Sequence, residues 1–378
     1  MSLTAVSDTN ADATVNYMGF SLIAGVAGSK VNAIAGHDTT AGVRDDATVN
    51  LGDGTLTISA DGTSIANPKI DMVGLSLAVD VQVLDAYSTV DADVLAEIGD
   101  GSEVDAGGVN MDAVGDHTAK SGISSLGVSL LAAIGDIDAE AKDTGSVMAR
   151  IGPASGEGGD SDNRTRVTTI ANGVTVDAVL ESDVTSEPDL SNFSLLFSGG
   201  HASAVSTQQA VVRADVGAWA DVNGGPGGVR VVADFQGTTL AEASSLGGGF
   251  VASLRGEAFA THEPDVVAKV GSNADVATSG AGQNVEVVAR HNHTGAFESG
   301  TFLLDRGAIG SASNVGVGGV SISSANVDAT ADAEVTTLVE SGATLSAPGG
   351  NVSVLSLSSN TALANLKRKN IGILVSVG

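Results

Sequence analysis

The hydrophobic positions of this chain recur at every second residue over short stretches. Between Val109 and Ala113, the apolar residues Val109, Met111 and Ala113 alternate with the polar Asn110 and Asp112. Alternation with a period of two predicts a strand with one face buried and the other in solvent. No long stretch places apolar residues at helical spacing. The pattern therefore predicts an all-β fold.

The alternating stretches recur through the whole chain, and three anchors mark the repeat. The first anchors are short alternating strands that begin at Leu3, Leu56, Val109, Val174, Val229, Val285 and Val352. The second anchors are a glycine, or an asparagine in its place, before another alternating run: Gly19, Gly74, Gly127, Asn192, Gly249, Gly319 and Gly372. The third anchors pair a small residue with an aliphatic one: Ala41 with Val43, Ala96 with Ile98, Ala149 with Ile151, Ala214 with Val216, Ala268 with Val270, and less cleanly Thr336 to Val339.

These anchors predict one elongated body made of modules of ~55 residues. The predicted modules are 3–55, 56–108, 109–173, 174–228, 229–284 and 285–351, followed by a partial module, 352–378. Two modules are lengthened by insertions, at 153–166 and 291–307. Insertions that leave the anchors intact are typical of loops on a repeated scaffold.

The composition favours a thin core. Of the 378 residues, 42% are hydrophobic but only 3% are aromatic, and 50 are glycine. A core of Ala, Val, Ile and Leu suits a parallel β-helix (β-solenoid), in which equivalent positions of successive coils stack in register. If a coil used about 18 to 22 residues, a module would hold two and a half to three coils, and the chain would form a rod on the order of 80–100 Å long. A tandem array of small antiparallel β-sandwiches is the alternative, although a sandwich of ~55 residues without disulfides is very small for independent stability.

The charge of the chain excludes some partners. The formal net charge is −28, from 45 acidic and 17 basic residues, and such a surface repels nucleic acid and anionic lipid. No apolar run is long enough for a transmembrane helix, so no membrane insertion is expected. The first residues lack the basic and apolar regions of a signal peptide. There is no cysteine, hence no disulfide framework.

The repeat also carries a resemblance. The stretch VLAEIGDGSEVDAGGVNMDAVGDHTAKSGISSLGVSLLAAIGDIDAEA, Val94 to Ala141, resembles the β-strand-repeat regions of giant bacterial surface and secreted adhesins, filamentous-haemagglutinin-like and fusobacterial-leukotoxin-like. The resemblance covers almost the whole chain and is cleanest in the second and third modules. It implies a right-handed parallel β-helix that serves as a stalk or adhesive fibre, and it carries over no catalytic residue.

The histidines are weak candidates for a site. They are His37, His117, His201, His262, His291 and His293. On one strand, His291 and His293 would lie on the same face and suit zinc or copper, but no third ligand is near in sequence, and an exposed polar loop is the preferred interpretation. A Ser-His-Asp triad stays open, although no nucleophile elbow is present.

Aspartate-rich turns are candidates for calcium. The turns that contain Asp53 and Asp100 lie at module junctions. The insertion at 153–166 brings carboxylate and amide oxygens close together, at Glu157, Asp160, Asp162 and Asn163. Calcium binds such oxygens, but neither an EF-hand nor a calcium β-roll spacing is present. We therefore expect no cofactor and no metal, with calcium as an open possibility.

The sequence favours a structural or adhesive repeat segment of an extracellular or cell-surface fibre, without catalysis. The alternative is a carbohydrate-active enzyme, a polysaccharide lyase or hydrolase, on a β-helix scaffold. For that class the bases are few, with Arg164 and Arg166 near Asp160, and Trp219 is the only tryptophan for sugar stacking. The basic run Lys367 to Lys369 is interpreted as a solvated turn.

Both ends of the chain are apolar, at Leu3, Val6, Ile371, Leu374 and Val375, without a polar cap. We therefore expect end-to-end self-association, or flanking repeats of a longer chain. A cell-surface or matrix receptor is a further possible partner.

Overall fold

The structure is a computed structural model that describes residues 1–154, 159, 161–294 and 301–377, with side chains described as far as residue 372. It is 77% strand and ~1% helix, with parallel sheets, which confirms the all-β prediction. A three-residue 3₁₀ helix, Gly225–Gly227, is the only helix in the described part. Across the same residues, no helix is long and apolar enough to cross a membrane.

The strands follow one another with short turns. In chain order they are β1 (Ser2–Ser21), β2 (Ala24–Ala35), β3 (Asp38–Val43), β4 (Thr48–Asn50), β5 (Thr55–Ser76), β6 (Val79–Val90), β7 (Asp93–Ile98), β8 (Glu103–Ala106), β9 (Gly108–Ser129), β10 (Ala132–Asp143), β11 (Ser146–Ile151), β12 (Arg166–Thr169), β13 (Val174–Ser194), β14 (Phe197–Gln208), β15 (Val211–Val216), β16 (Asp221–Asn223), β17 (Val229–His262), β18 (Asp265–Val270), β19 (Asp275–Ala277), β20 (Val285–His291), β21 (His293–Thr294), β22 (Thr301–Phe302), β23 (Gly307–Ala331), β24 (Glu334–Val339), β25 (Thr344–Ser346), β26 (Val352–Ser358) and β27 (Ala362–Val377).

Each long strand pairs in parallel with the equivalent strand of the next module. Val109 pairs with Val174, which pairs with Val229. One module therefore forms one layer, and the expectation of two and a half to three coils per module is wrong. Seven layers at about 4.8 Å give a stack of only ~30 Å. Each layer is wide instead, because a strand such as β9, with 22 residues, spans up to roughly 70 Å when extended.

The observed register also corrects some anchors. Leu3 pairs with Ile58, not with Leu56. Asn192 pairs with Gly247 rather than Gly249, and Gly247 pairs with Gly316 rather than Gly319. The last member of this second-anchor row is Asn370 rather than Gly372. At Leu3, Asn192 and Asn370 the offset is two residues, and in a strand of period two such positions look alike, so the sequence pattern does not distinguish these registers. The offset between Gly316 and Gly319 is three residues and has no such explanation.

The layers have a stem and a blade. In the third layer, β11, β12 and the start of β9 enclose an apolar core that contains Met111, Ile151 and Val167. We call this part the stem. Residues 116–143 of that layer, with their equivalents elsewhere, form the blade, in which the outgoing strand β9 turns at 130–131 and returns as β10. Strands β17 and β23 run unbroken through this turn, so both sides of the blade belong to one sheet that folds back on itself.

Like residues stack on like in the stem. The small third-anchor residues form one ladder across the layers: Ala41, Ala96, Ala149, Ala214, Ala268 and Thr337. The ladder of aliphatic partners includes Ile98 and Ile151, both with 0% exposure. Burial of each such side chain contributes about 1.5–3 kcal/mol. The stem core is thus built from short apolar side chains in register, as expected.

Candidate interaction surfaces and buried polar clusters

The outer edge of the blade exposes a row of large apolar side chains. One ladder on the outgoing strands consists of Phe20, Leu75, Val128, Phe193, Val317 and Ile371, with Gly248 between Phe193 and Val317. Phe20 is 71% exposed and Ile371 is 47% exposed. An outward apolar ladder is the reverse of what a solvated strand face requires.

The row continues around the turn and onto the return strands. The turn itself exposes Leu22, Ile23, Leu77, Leu130, Leu131, Leu195, Leu196 and Phe250. On the return side, a ladder holds Val26, Val81 and Ile134. We call the exposed apolar side chains at 126–134 of the third layer, and at the equivalent positions of the others, the apolar rim. Monomeric proteins rarely expose a continuous apolar surface of this extent.

The interior behind the apolar rim is polar. The inward residues there include Asp80, Gln82, Ser125, Asn192 and Asn314, all buried. Gln82 Nε2 donates to Asp80 Oδ2 at 2.8 Å and to the carbonyl of Leu126 at 3.0 Å, and Ser125 Oγ donates to Gln82 Oε1. Burial raises the pKa of Asp80, and the hydrogen bond from Gln82 opposes that shift. Inside and outside have therefore exchanged their usual polarity.

The second-anchor glycines make room for this polar interior. A Cβ at Gly74 would lie 2.4 Å from Asp80 Oδ2, and one at Gly127 would lie 2.4 Å from Asn192 Oδ1. Both glycines lie within extended strands, and neither is among the glycines with positive φ. At these two anchors glycine is required because a side chain would clash with the buried polar side chains of the return strand and of the next layer.

The stem has the usual polarity, with charges outside. On its outer face the alternating ladder Glu97, Arg150, Asp215 and Lys269 crosses four layers. Arg150 Nη2 lies 2.7 Å from Glu97 Oε2, and Lys269 Nζ lies 2.8 Å from Glu340 Oε1. Asp215 is only 2% exposed and its carboxylate accepts no hydrogen bond from the described residues. Burial raises the pKa of Asp215 to about 6, although Arg213, Lys269 and Arg150 oppose the shift.

A buried polar cluster lies where the stem meets the blade. His117 Nδ1 lies 3.2 Å from both carboxylate oxygens of Asp143, and Ser182 Oγ donates to Asp143 Oδ2 at 2.5 Å. The Asp143 carboxylate raises the pKa of His117 against the opposing effect of burial, and His117 lowers the pKa of Asp143 in the same way. A serine triad requires the serine to bond the histidine. Here serine and histidine both bond the aspartate, and all three residues are buried, so the cluster is structural.

A second buried cluster joins His291, from the insertion, to His262 at the end of β17. His291 Nε2 lies 2.9 Å from His262 Nε2, and Thr239 Oγ1 lies 2.9 Å from His262 Nδ1. Burial lowers the pKa of His262 to about 3 and that of His291 to about 4. His293 packs edge-on against Phe302, with ring centroids 5.0 Å apart.

The predicted exposed loop at His291 to His293 is wrong, because all three residues are buried. The strand that would place both imidazoles on one face is interrupted by Asn292, whose φ is 49°. No third histidine, aspartate or glutamate completes a metal site with this pair among the described residues.

A groove on the return face of the blade holds an acidic and histidine cluster. The ligand atoms of Asp136, Asp138 and His201 lie within 4.8 Å of one another. His201 Nδ1 lies 3.0 Å from Asp136 Oδ1, and His201 Nε2 lies 3.1 Å from Glu257 Oε2. Burial raises the pKa of Asp138, and the neighbouring Asp136 raises it further. Both ring nitrogens of His201 are thus already paired with carboxylates.

The groove itself has a volume of about 640 Å³ and also contains Phe197 and Arg255. Arg255 Nη2 donates to Glu257 Oε1 at 2.5 Å. The sequence did not indicate this convergence, because the groove residues come from four different modules.

The candidate calcium insertion is only partly described. Glu157 and Asp160 lie outside the described residues. Asn163 Nδ2 donates to Asp46 Oδ1 at 2.8 Å. At the module junction, Asp45 Oδ1 accepts the backbone amide of Asp100 at 2.9 Å. These oxygens satisfy turn amides and amide side chains between layers.

The basic candidates have structural positions. Arg164 Nε donates to the carbonyl of Trp219 at 3.0 Å, and its guanidinium lies 5.8 Å from the centre of the Trp219 ring. Arg166 lies on β12, paired with Asp221. The predicted turn at Lys367 to Lys369 is wrong, because these residues lie within β27, paired with Ser313 to Val315.

Comparison with known proteins adds no relative. A scan against protein-family models, a search of curated proteins and a search of solved structures each found no match.

Proposed function

We propose that the chain is a segment of a right-handed parallel β-solenoid that acts as a structural or adhesive part of an extracellular or cell-surface fibre. One observation carries this proposal, the parallel pairing of successive layers through the largest sheet. In such a stack, further layers can be added along one axis without a fixed limit.

Open strand edges support the fibre. At one end of the stack, β1, β2, β3 and β4 each pair on one side only, and at the other end so do β24 and β25. Side chains of β1 alternate between half-buried and exposed, whereas the same face of β5 is buried. A further layer, from the same or another chain, would complete both the backbone pairing and the core.

One end offers a sharp test. Thr57 N donates to the Met1 carbonyl, and Ser2 pairs with Thr57. In a parallel ladder this pairing leaves the amides of even-numbered β1 residues, such as exposed Thr4, directed away from β5. Thr4→Pro therefore removes a donor from the open edge while it leaves the β1–β5 ladder intact. Thr4→Ala is the matched control.

The measurement is sedimentation over a range of concentrations, with negative-stain electron microscopy. The wild-type chain and Thr4→Ala are expected to form linear particles that lengthen along the stack, and Thr4→Pro to shorten them. Polar substitution of Ile371, and of Leu374, whose side chain lies outside the described part, is expected to weaken association at the other end. A chain that stays monomeric at high concentration, with a native terminus at both ends, contradicts the proposal.

The groove beside His201 supports the alternative function, a carbohydrate-active enzyme. There an aromatic ring, Phe197, meets a base, Arg255, and a carboxylate, Asp136. Such a groove would bind an acidic polysaccharide through Arg255. Depolymerisation of acidic polysaccharides that is lost in Arg255→Ala would favour the enzyme over the fibre segment.

A further inference from the structure

We propose that the apolar rim inserts into the hydrocarbon layer of a lipid surface with neutral headgroups. This inference is independent of the proposed fibre and replaces the expectation that the chain makes no membrane insertion. Four observations carry it: the inverted polarity of the blade edge, its paired backbone, its convex shape and the level boundary of its apolar zone.

The inverted polarity points to an apolar surrounding. Behind the rim, Asn192 Nδ2 donates to the carbonyl of Gly199 at 2.7 Å, and Ser245 Oγ donates to Asn314 Oδ1 at 2.6 Å. The turn residues Leu195 and Phe250 are 68% and 54% exposed. In water, a strand edge is more stable with its polar side chains outside and its apolar side chains inside. Polar groups bonded to one another inside, with apolar side chains outside, are what hydrocarbon favours.

The backbone of the turn is also suited to hydrocarbon. The amides of Leu77, Leu131, Leu195 and Phe250 each donate to a carbonyl of the preceding layer, at 2.9–3.2 Å. An unpaired amide costs several kcal/mol in lipid, which excludes most turns from it. These four amides are paired from layer to layer, so they enter an apolar medium without losing their hydrogen bonds.

The shape of the edge favours a deformable partner. The rim is a convex turn between two strands that pack face to face, about 10 Å apart. Two copies in contact along such edges would meet only over a narrow line, which would bury little area. A lipid layer adapts to a convex edge and carries no charge when its headgroups are zwitterionic.

The apolar zone ends at the same distance from the turn on both faces of the blade. In the second to fourth layers the outgoing row behind the rim contains Asp71, Ser124 and Asp189, and in the seventh layer it contains Lys367, with Lys369 one row closer to the rim. On the return face the corresponding row contains Asp136, His201 and Arg255. Both rows lie five or six residues from the turn, which sets a maximum depth of roughly 15–20 Å for the rim. The charged residues of these rows would lie at the headgroups, and anionic lipid would repel a chain whose net charge is −28.

The test is flotation of the full chain with phosphatidylcholine vesicles. The wild-type chain is expected to float, and Leu195→Lys combined with Phe250→Lys to lower the partition coefficient by at least about tenfold. Ile170→Lys is the matched control, because Ile170 is 57% exposed but lies on the stem. Phosphatidylglycerol vesicles at low salt are expected to bind less wild-type protein.

A second variant keeps the test independent of folding defects. Phe250→Trp in a Trp219→Phe background places the only tryptophan on the rim, and brominated acyl chains should quench its fluorescence. Absence of flotation and of quenching would overturn the inference. So would equal loss of binding in Ile170→Lys, or rim-dependent self-association without vesicle binding, which would identify a second copy as the partner.

Discussion

The stem and the blade edge use the same strands with opposite polarity. At Ile98 the inward side chain is apolar and its neighbour Glu97 lies outside in an ion pair with Arg150. At the blade edge the inward Asn192 is polar and the neighbouring Phe193 lies outside. The stem thus gains stability from apolar burial, whereas the edge gains it from internal hydrogen bonds and leaves apolar area for a partner.

The largest expected effect lies in the stem core. Ile98→Asp places an unpaired carboxylate between Val43 and Ile151 and should lower the free energy of unfolding by about 4 kcal/mol or more. Glu97→Lys removes only a partly exposed ion pair and should cost no more than about 1 kcal/mol. Urea denaturation of both variants provides the measurement. Equal losses would contradict the inward and outward assignment in the stem.

A leucine pair tests the comparison within the blade. Leu190 is fully buried and Leu195 is 68% exposed on the rim. Leu190→Ser should lower the free energy of unfolding by about 3–5 kcal/mol, and Leu195→Ser should change it by less than about 0.5 kcal/mol. Denaturation in the absence of lipid is the measurement. A large loss in Leu195→Ser would mean that the rim is packed in solution, against the exposure that the lipid inference requires.

The charge ladder of the stem predicts an unusual pH dependence. Burial raises the pKa of Asp215 to about 6 in the folded chain from its ordinary value of 3.8, so between these values the folded state binds more protons than the unfolded state. Raising the pH through this window therefore destabilises the fold, and lowering it restores stability. Asp215→Asn should therefore raise the free energy of unfolding at pH 7.5 by up to about 3 kcal/mol. The gain would be seen as a higher melting temperature.

The gain from Asp215→Asn should shrink at pH 5, where the wild-type carboxyl is mostly protonated. Asp275→Asn, at an exposed neighbouring position, is the control and should change little at either pH. If the gain in unfolding free energy did not depend on pH, the destabilising effect of Asp215 would not come from its buried charge.

The all-β class was predictable because alternation and glycine spacing are local signals. The number of residues per layer was not, since nothing in a strand pattern tells whether a chain turns after 20 residues or after 55. The rim side chains lie beside the second anchors in the sequence. A period of two, however, does not show which face of a strand points into the interior. Two adjacent apolar residues, as in Leu130 and Leu131 or Leu195 and Leu196, were the signal of an exposed apolar turn.

The smallest expected effect concerns divalent cations. At the blade, both ring nitrogens of His201 already pair with Asp136 and Glu257, so a cation would have to break existing bonds to bind there. At the stem, Asp45 already accepts the backbone amide of Asp100. EDTA should therefore shift the melting temperature by no more than about 1–2 °C, equivalent to roughly 1 kcal/mol in a chain of this size. Thermal melts followed by circular dichroism, with EDTA and with added calcium, are the measurement. Loss of the β signal in EDTA would mean that aspartate turns of either region bind a cation that the fold needs.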